Sequence, residues 1–134
     1  DTLAILRQYK NEPLVIWYSA FDIPFFATRA IKNRVDASEI FSMQVIDLWK
    51  CVSENLQLSS NRLDDVSKFL GIEKNIEISG KDMQILYMKA ISGDEDAKRQ
   101  IIAHCEDDLV SMKKIFEILK PYIDIWSRKN QSFR

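Results

Sequence analysis

Leu14-Val15-Ile16-Trp17-Tyr18-Ser19-Ala20-Phe21-Asp22-Ile23-Pro24-Phe25-Phe26 is the stretch on which the fold turns. Its first five residues form a continuous apolar run that follows Pro13 and is too short for a helix of its own. That is the pattern of a strand buried on both faces of a parallel sheet. The remainder predicts a helix opening at Asp22, with a carboxylate at the cap, Pro24 in the first turn, and Phe25, Phe26, Arg29, Ala30 and Ile31 at helical spacing. A strand running straight into a helix is the building unit of an α/β protein, and α/β is the expected class.

Upstream, Leu3, Ile5, Leu6 and Tyr9 predict a short helix over Thr2 to Lys10, broken by Asn11-Glu12-Pro13. Downstream, Val35 to Glu39 closes the first unit, and Met43 to Trp49 reads as a second strand leading into a helix through Cys51 and Leu56. Ser60-Asn61 is the expected cap of the next helix. Leu63, Val66, Phe69 and Leu70 mark its inner face, and Gly71 stands at the left-handed cap position. Ile72 to Lys81 is a polar loop in which Ile76 and Ile78 alternate. Asp82 to Ile91 is helical again, with Met83, Leu86, Tyr87 and Ala90 on one face, and Gly93 interrupts it. Asp94-Glu95-Asp96 opens a last long helix expected to stop near Leu119, before Pro121.

This organisation predicts a single domain over 1–126 and a polar tail over 127–134, with no repeat and no linker. Two strands alone make a marginal sheet with unpaired edges. A missing sheet partner, supplied by an upstream segment, is the expected remedy.

The 19 Lys and Arg residues are balanced by 20 Asp and Glu, for a net charge of -1. That excludes a broad basic surface for duplex binding and leaves room for a local contact in which bound metal ions supply the positive charge. The two cysteines, Cys51 and Cys105, are too few for a disulfide framework and read as reduced core side chains. Nothing approaches the roughly 18 apolar residues of a membrane span. A cytoplasmic location is the resulting expectation.

Chemistry concentrates in His104-Cys105-Glu106-Asp107-Asp108. On a wheel of about 100° per residue, Ile101, Cys105, Asp108, Met112, Phe116 and Leu119 share a stripe roughly 60° wide, whereas Glu106 and Asp107 point away as solvated acids. A carboxylate on an apolar stripe must meet a cation, a proton or hydrogen-bond donors. Asp108 therefore either bridges to a neighbouring Arg or Lys or ligates a metal ion, and His104, the only histidine, shares its site through i,i+4 spacing. Asp22, just past the first strand, lies where α/β sheets place ligand-contacting residues. Two such carboxylates on different elements can position Mg²⁺ or Mn²⁺ ions for phosphodiester hydrolysis. The bland reading of Asp22 is a helix cap, and that of Trp17, Phe21, Phe25 and Phe26 is core.

These residues carry a resemblance. Trp17 to Phe25, continuing to Arg29-Ala30, resembles the second exonuclease motif of the 3′-to-5′ proofreading domains of family B DNA polymerases and related ribonuclease-H-like exonucleases. Val45-Ile46-Asp47-Leu48-Trp49, followed by Leu58 to Val66 and Leu70-Gly71, is similar to the segment between that family's second and third motifs. His104 to Leu109 resembles the third. The resemblance implies a ribonuclease-H-like exonuclease fold of the α/β class, present here as a helix-rich C-terminal portion lacking the first strands. It also implies a two-metal mechanism, with Asp22 and Asp108 as metal ligands and the 3′ end of single-stranded DNA or RNA as substrate. It puts His104 in the place of a water-orienting tyrosine, a departure from the family pattern. The first motif, an aspartate and a glutamate two residues apart, has no counterpart here, so two of four expected carboxylates are present and the chain alone is not expected to cleave. The alternative is a non-catalytic ribonuclease-H-like module that binds nucleic acid or protein.

Overall fold

The computed structural model describes residues 2–132 and divides into two compact units, residues 1–58 and 59–134. In the first unit, β1 (Leu14–Ile16) and β2 (Val45–Asp47) pair in parallel, with Leu14 opposite Val45, Val15 opposite Ile46 and Ile16 opposite Asp47. The expected order of elements is observed: α1 (Thr2–Gln8) precedes β1, α2 (Ser19–Lys32) and a 3₁₀ turn (Ser38–Ser42) connect the strands, and α3 (Leu48–Asn55) follows β2 without a break. Parallel strands need such a crossover because a tight turn cannot reverse the chain twice. Leu3, Ala37 and Ile40 form a small buried cluster, with Leu6, Ile23, Phe26 and Ala30 packed against it. Leu48 and Val52, one helical turn apart on α3, are fully buried. Each such side chain contributes roughly 1.5–3 kcal/mol of burial free energy, which anchors the helix that starts at the end of β2. β1 is half-buried rather than enclosed on both faces, because the described sheet has only two strands.

In the second unit, α4 (Leu63–Phe69) and α5 (Gly80–Ile91) both pack on α6 (Glu95–Ser132). Gly71, at φ 73°, ends α4 in the left-handed conformation its position predicted. Gly93 and Asp94 close α5 through N–H bonds to the carbonyls of Ala90 and Lys89, and the Asp94 side chain caps α6 by accepting from the amides of Asp96 and Ala97. The start of α4 departs from expectation. The helix opens at Leu63 with Arg62 at the cap position, while the Ser60 hydroxyl donates to the Asp65 carboxylate at 2.5 Å.

Two further expectations are corrected by tertiary packing. α6 does not stop before Pro121 but continues to Ser132, so residues 127–132 of the expected tail are helical, while 133 and 134 lie outside the described residues. Proline forfeits one bond to the carbonyl four residues back. Burial of Ile115, Leu119 and Ile123 on both sides of it holds the helix together. The buried line of α6 is also rotated by about 60° from the predicted stripe. It runs through Asp107, Ser111, Ile115, Leu119 and Ile123, which leaves Cys105 exposed instead of in the core, while Cys51 is half-buried.

Candidate functional site

The parallel register brings the C-terminal ends of both strands to one edge, and Asp47 occupies that edge opposite Ile16. Its Oδ1 accepts from the amides of Tyr18 (3.1 Å) and Lys50 (3.2 Å), and its Oδ2 from the Ser19 amide (2.9 Å) and hydroxyl (2.7 Å). One carboxylate thereby caps α2 from across the sheet and α3 from its own chain position. Burial by itself would raise its pKa. The Ser19 hydroxyl and the three amides outweigh that and hold the carboxyl below the ordinary aspartate value. Tyr18 sits in the left-handed region (φ 67°, ψ 68°), a strained place for a non-glycine residue, and its ring meets Trp49 edge-on at 4.8 Å.

Asp22 is therefore not the helix cap. It is the fourth residue of α2, and Pro24 lies inside the helix. Freed from capping, the Asp22 carboxylate is exposed at the strand end. Loss of surrounding water and then the neighbouring Asp47 charge push its pKa above the usual value. Phe21 and Phe25 flank it, stacked on each other at 5.9 Å between ring centroids and 62% and 58% exposed, so these two rings are not core.

The second cluster is built on α6. Asp108 and His104 face each other one turn apart, as their spacing predicted, with His104 Nδ1 3.5 Å from Asp108 Oδ2. The cation demanded by the half-buried Asp108 is Lys74. Its ammonium group donates to Oδ1 of Asp108 and also to Oδ1 of Asp64 on α4. The Lys74 side chain is only 6% exposed. Burial alone would lower its pKa, but hydrogen bonds and charges from Asp108 and Asp64 raise it, so the group stays an ammonium ion.

Asp107 overturns the expectation of a solvated acid. It is 8% exposed and accepts from the backbone amides of Asn75 (3.4 Å) and Ile76 (3.2 Å). The two adjacent acids divide the work: Asp107 grips the loop backbone, and Asp108 meets the lysine that the gripped loop delivers. The same loop lines a cleft with Asp64, Lys68, Gly71, Glu77 and Asp82.

Neither Asp47 nor Lys74 stood out in the sequence, yet each had a signal. Asp47 ends a strand directly before a helix, which is a cap position. Lys74 is in phase with Ile72, Ile76 and Ile78 in a segment whose inward residues alternate with exposed Glu73, Asn75 and Glu77. A lysine on the inward parity must find acidic partners.

Among the described residues no three His, Cys, Asp or Glu side chains gather into a metal cluster. The donor chemistry nevertheless suits a hard cation. Two carboxylate oxygens, from Asp64 and Asp108, already converge on one positive centre, and oxygen ligands of that kind are what Mg²⁺ and Mn²⁺ take. No helix among the described residues is long and apolar enough to cross a membrane.

A model of the RNase H superfamily matches residues 2–120, and the chain belongs to that superfamily. Comparison with curated proteins and with solved structures gave no match.

Proposed function

Starting from that membership, we propose that this chain carries two carboxylates, Asp22 and Asp108, of a metal-dependent 3′-to-5′ exonuclease domain acting on the end of single-stranded DNA or RNA. The observation that carries the reading is Asp108. Its carboxylate lies on a half-buried helix face, one oxygen drawn with Asp64 toward a shared positive centre and the other turned to His104. The resemblance assigns Asp22 a metal-linked role as well, and RNase H-like nucleases commonly work with divalent ions.

When bound, a pair of Mg²⁺ or Mn²⁺ ions supplies charge that lowers the pKa of water and offsets the leaving oxygen. The chain's own residues bind and orient around that chemistry. Asp108 and Asp22 would each hold cationic charge. His104, with Nδ1 turned to Asp108, would orient water through its other ring nitrogen. The exposed Phe21 and Phe25 rings beside Asp22 offer a surface on which unpaired bases stack.

The test uses the full-length protein, a 3′-labelled single strand and Mn²⁺, with Asp108→Ala in parallel. Shortening from the labelled end that drops by about 10³-fold or more in the variant supports the reading. Equal degradation by both proteins would sink it.

A second reading rests on Lys74. Because a resident ammonium group already pairs with Asp108, that carboxylate has a cation partner without metal, as expected of a non-catalytic module that binds nucleic acid or protein. That reading predicts strand binding that is indifferent to both chelator and the Asp108→Ala change.

A further inference from the structure

The loop from Gly71 to Ser79 brings a buried lysine to an acid that the nuclease reading assigns to metal. Lys74 is held there from both ends of its own geometry. Asp107 fixes the backbone of the next two residues, and Asp64 and Asp108 fix the ammonium. Lys68 lines the same cleft, and it is Lys74 that reaches the Asp108 carboxylate directly. The side chain is too enclosed to be a solvated surface lysine, since lysine is rarely buried unless paired.

We propose that Lys74 is a built-in counter-ion of Asp108. It holds the Asp64 and Asp108 carboxylates aimed at a common point, and it competes with a divalent cation for the same Asp108 oxygen. The proposal rests on the reading of Asp108 as a metal ligand and adds a regulator of that ligand. Physically it follows from charge. With Lys74 present, the three side chains carry one net negative charge, and without it two, so an incoming divalent ion meets a deeper potential once the ammonium is gone. Lys74 must change its side-chain conformation when the ion enters, since its ammonium occupies the Asp108 oxygen directly.

The test is Mn²⁺ binding by the full-length protein, followed by titration calorimetry without nucleic acid. Lys74→Met, which keeps an apolar stem of similar length, should bind Mn²⁺ at least about tenfold more tightly than the unsubstituted protein. The gain should vanish in the Lys74→Met, Asp108→Asn double variant. Equal or weaker binding by Lys74→Met overturns the proposal, as does a gain that persists without Asp108. Lys74→Gln repeats the comparison with a polar replacement.

A third readout needs no variant to fold. The side-chain ammonium resonance of Lys74 should shift on saturation with Mg²⁺, and a resonance unchanged through saturation overturns the competition. Failure of the nuclease reading is distinguishable. A protein that never degrades a strand, yet gains Mn²⁺ affinity on loss of Lys74, refutes the nuclease and keeps the counter-ion. An active nuclease whose Mn²⁺ affinity ignores Lys74 refutes the counter-ion alone.

Discussion

Replacing Asp107 by alanine separates two adjacent acids that the sequence presents as equals. Asp107 is buried and accepts amide bonds from Asn75 at 3.4 Å and Ile76 at 3.2 Å, whereas Glu106 beside it is exposed. Hydrogen bonds to an ionised acceptor contribute roughly 1.5–3 kcal/mol at good geometry, so these two long ones are worth about 1 and 1.5 kcal/mol. Alanine returns about 0.5 kcal/mol of helix propensity, which leaves a net loss of about 2 kcal/mol. With an unfolding entropy near 2.1 cal/mol/K per residue, 134 residues shift their melting temperature by roughly 7 °C for that loss.

Calorimetry of Asp107→Ala beside Glu106→Ala measures it, the second variant serving as an exposed control expected within about 0.5 kcal/mol of the parent. Amide exchange at Asn75 and Ile76 should accelerate only in the first. If both variants melt within about 1–2 °C of the parent, the account of Asp107 as the grip on the loop is wrong.

Three other outcomes follow from the same geometry. The folded-state pKa of Asp47 is depressed, so its contribution is present above the ordinary carboxylate value of about 3.9 and is lost as pH falls through the lower folded value. Asp47→Ala should therefore be less stable than the parent at pH 7, with the gap closing in acid melts; a gap that widens in acid contradicts the assignment. Asp22 has the opposite sign. Its folded-state pKa is raised, so ionisation costs stability as pH rises through it, and Asp22→Asn should melt above the parent at neutral pH while matching it in acid. Pro121→Ala restores one backbone bond within α6 and should stabilise by about 1–2 kcal/mol, read as a higher melting temperature. A fall would mean that proline serves a bend the helix needs.

Much of the fold was legible because short-range physics decides it. A five-residue apolar run after Pro13, glycines at 71 and 93, and an acidic opening at Asp94 each act within one turn of chain, and β1, the end of α4 and the start of α6 appear where those signals placed them. The pairing of His104 with Asp108 is of the same kind, since i,i+4 neighbours on a helix meet whatever surrounds them.

The roles of the acids were settled otherwise. A wheel assigns an angle to Asp107, but which side of α6 is buried depends on where α4, α5 and the loop after Gly71 pack, and that packing turned the buried line toward Asp107 and away from Cys105. Pro121 shows the same override, local chemistry yielding to apolar burial on both sides of it. Asp22 lost its capping role because Asp47, 25 residues later in the sequence, reaches across the sheet to do it. The sequence by itself thus determined the α/β class, the order of elements and the candidate acids Asp22 and Asp108. Only the tertiary structure decided which charge each acid meets, because a carboxylate's partner is set by what packing brings within about 3 Å of it, and for Asp108 that partner is Lys74, 34 residues away in the chain.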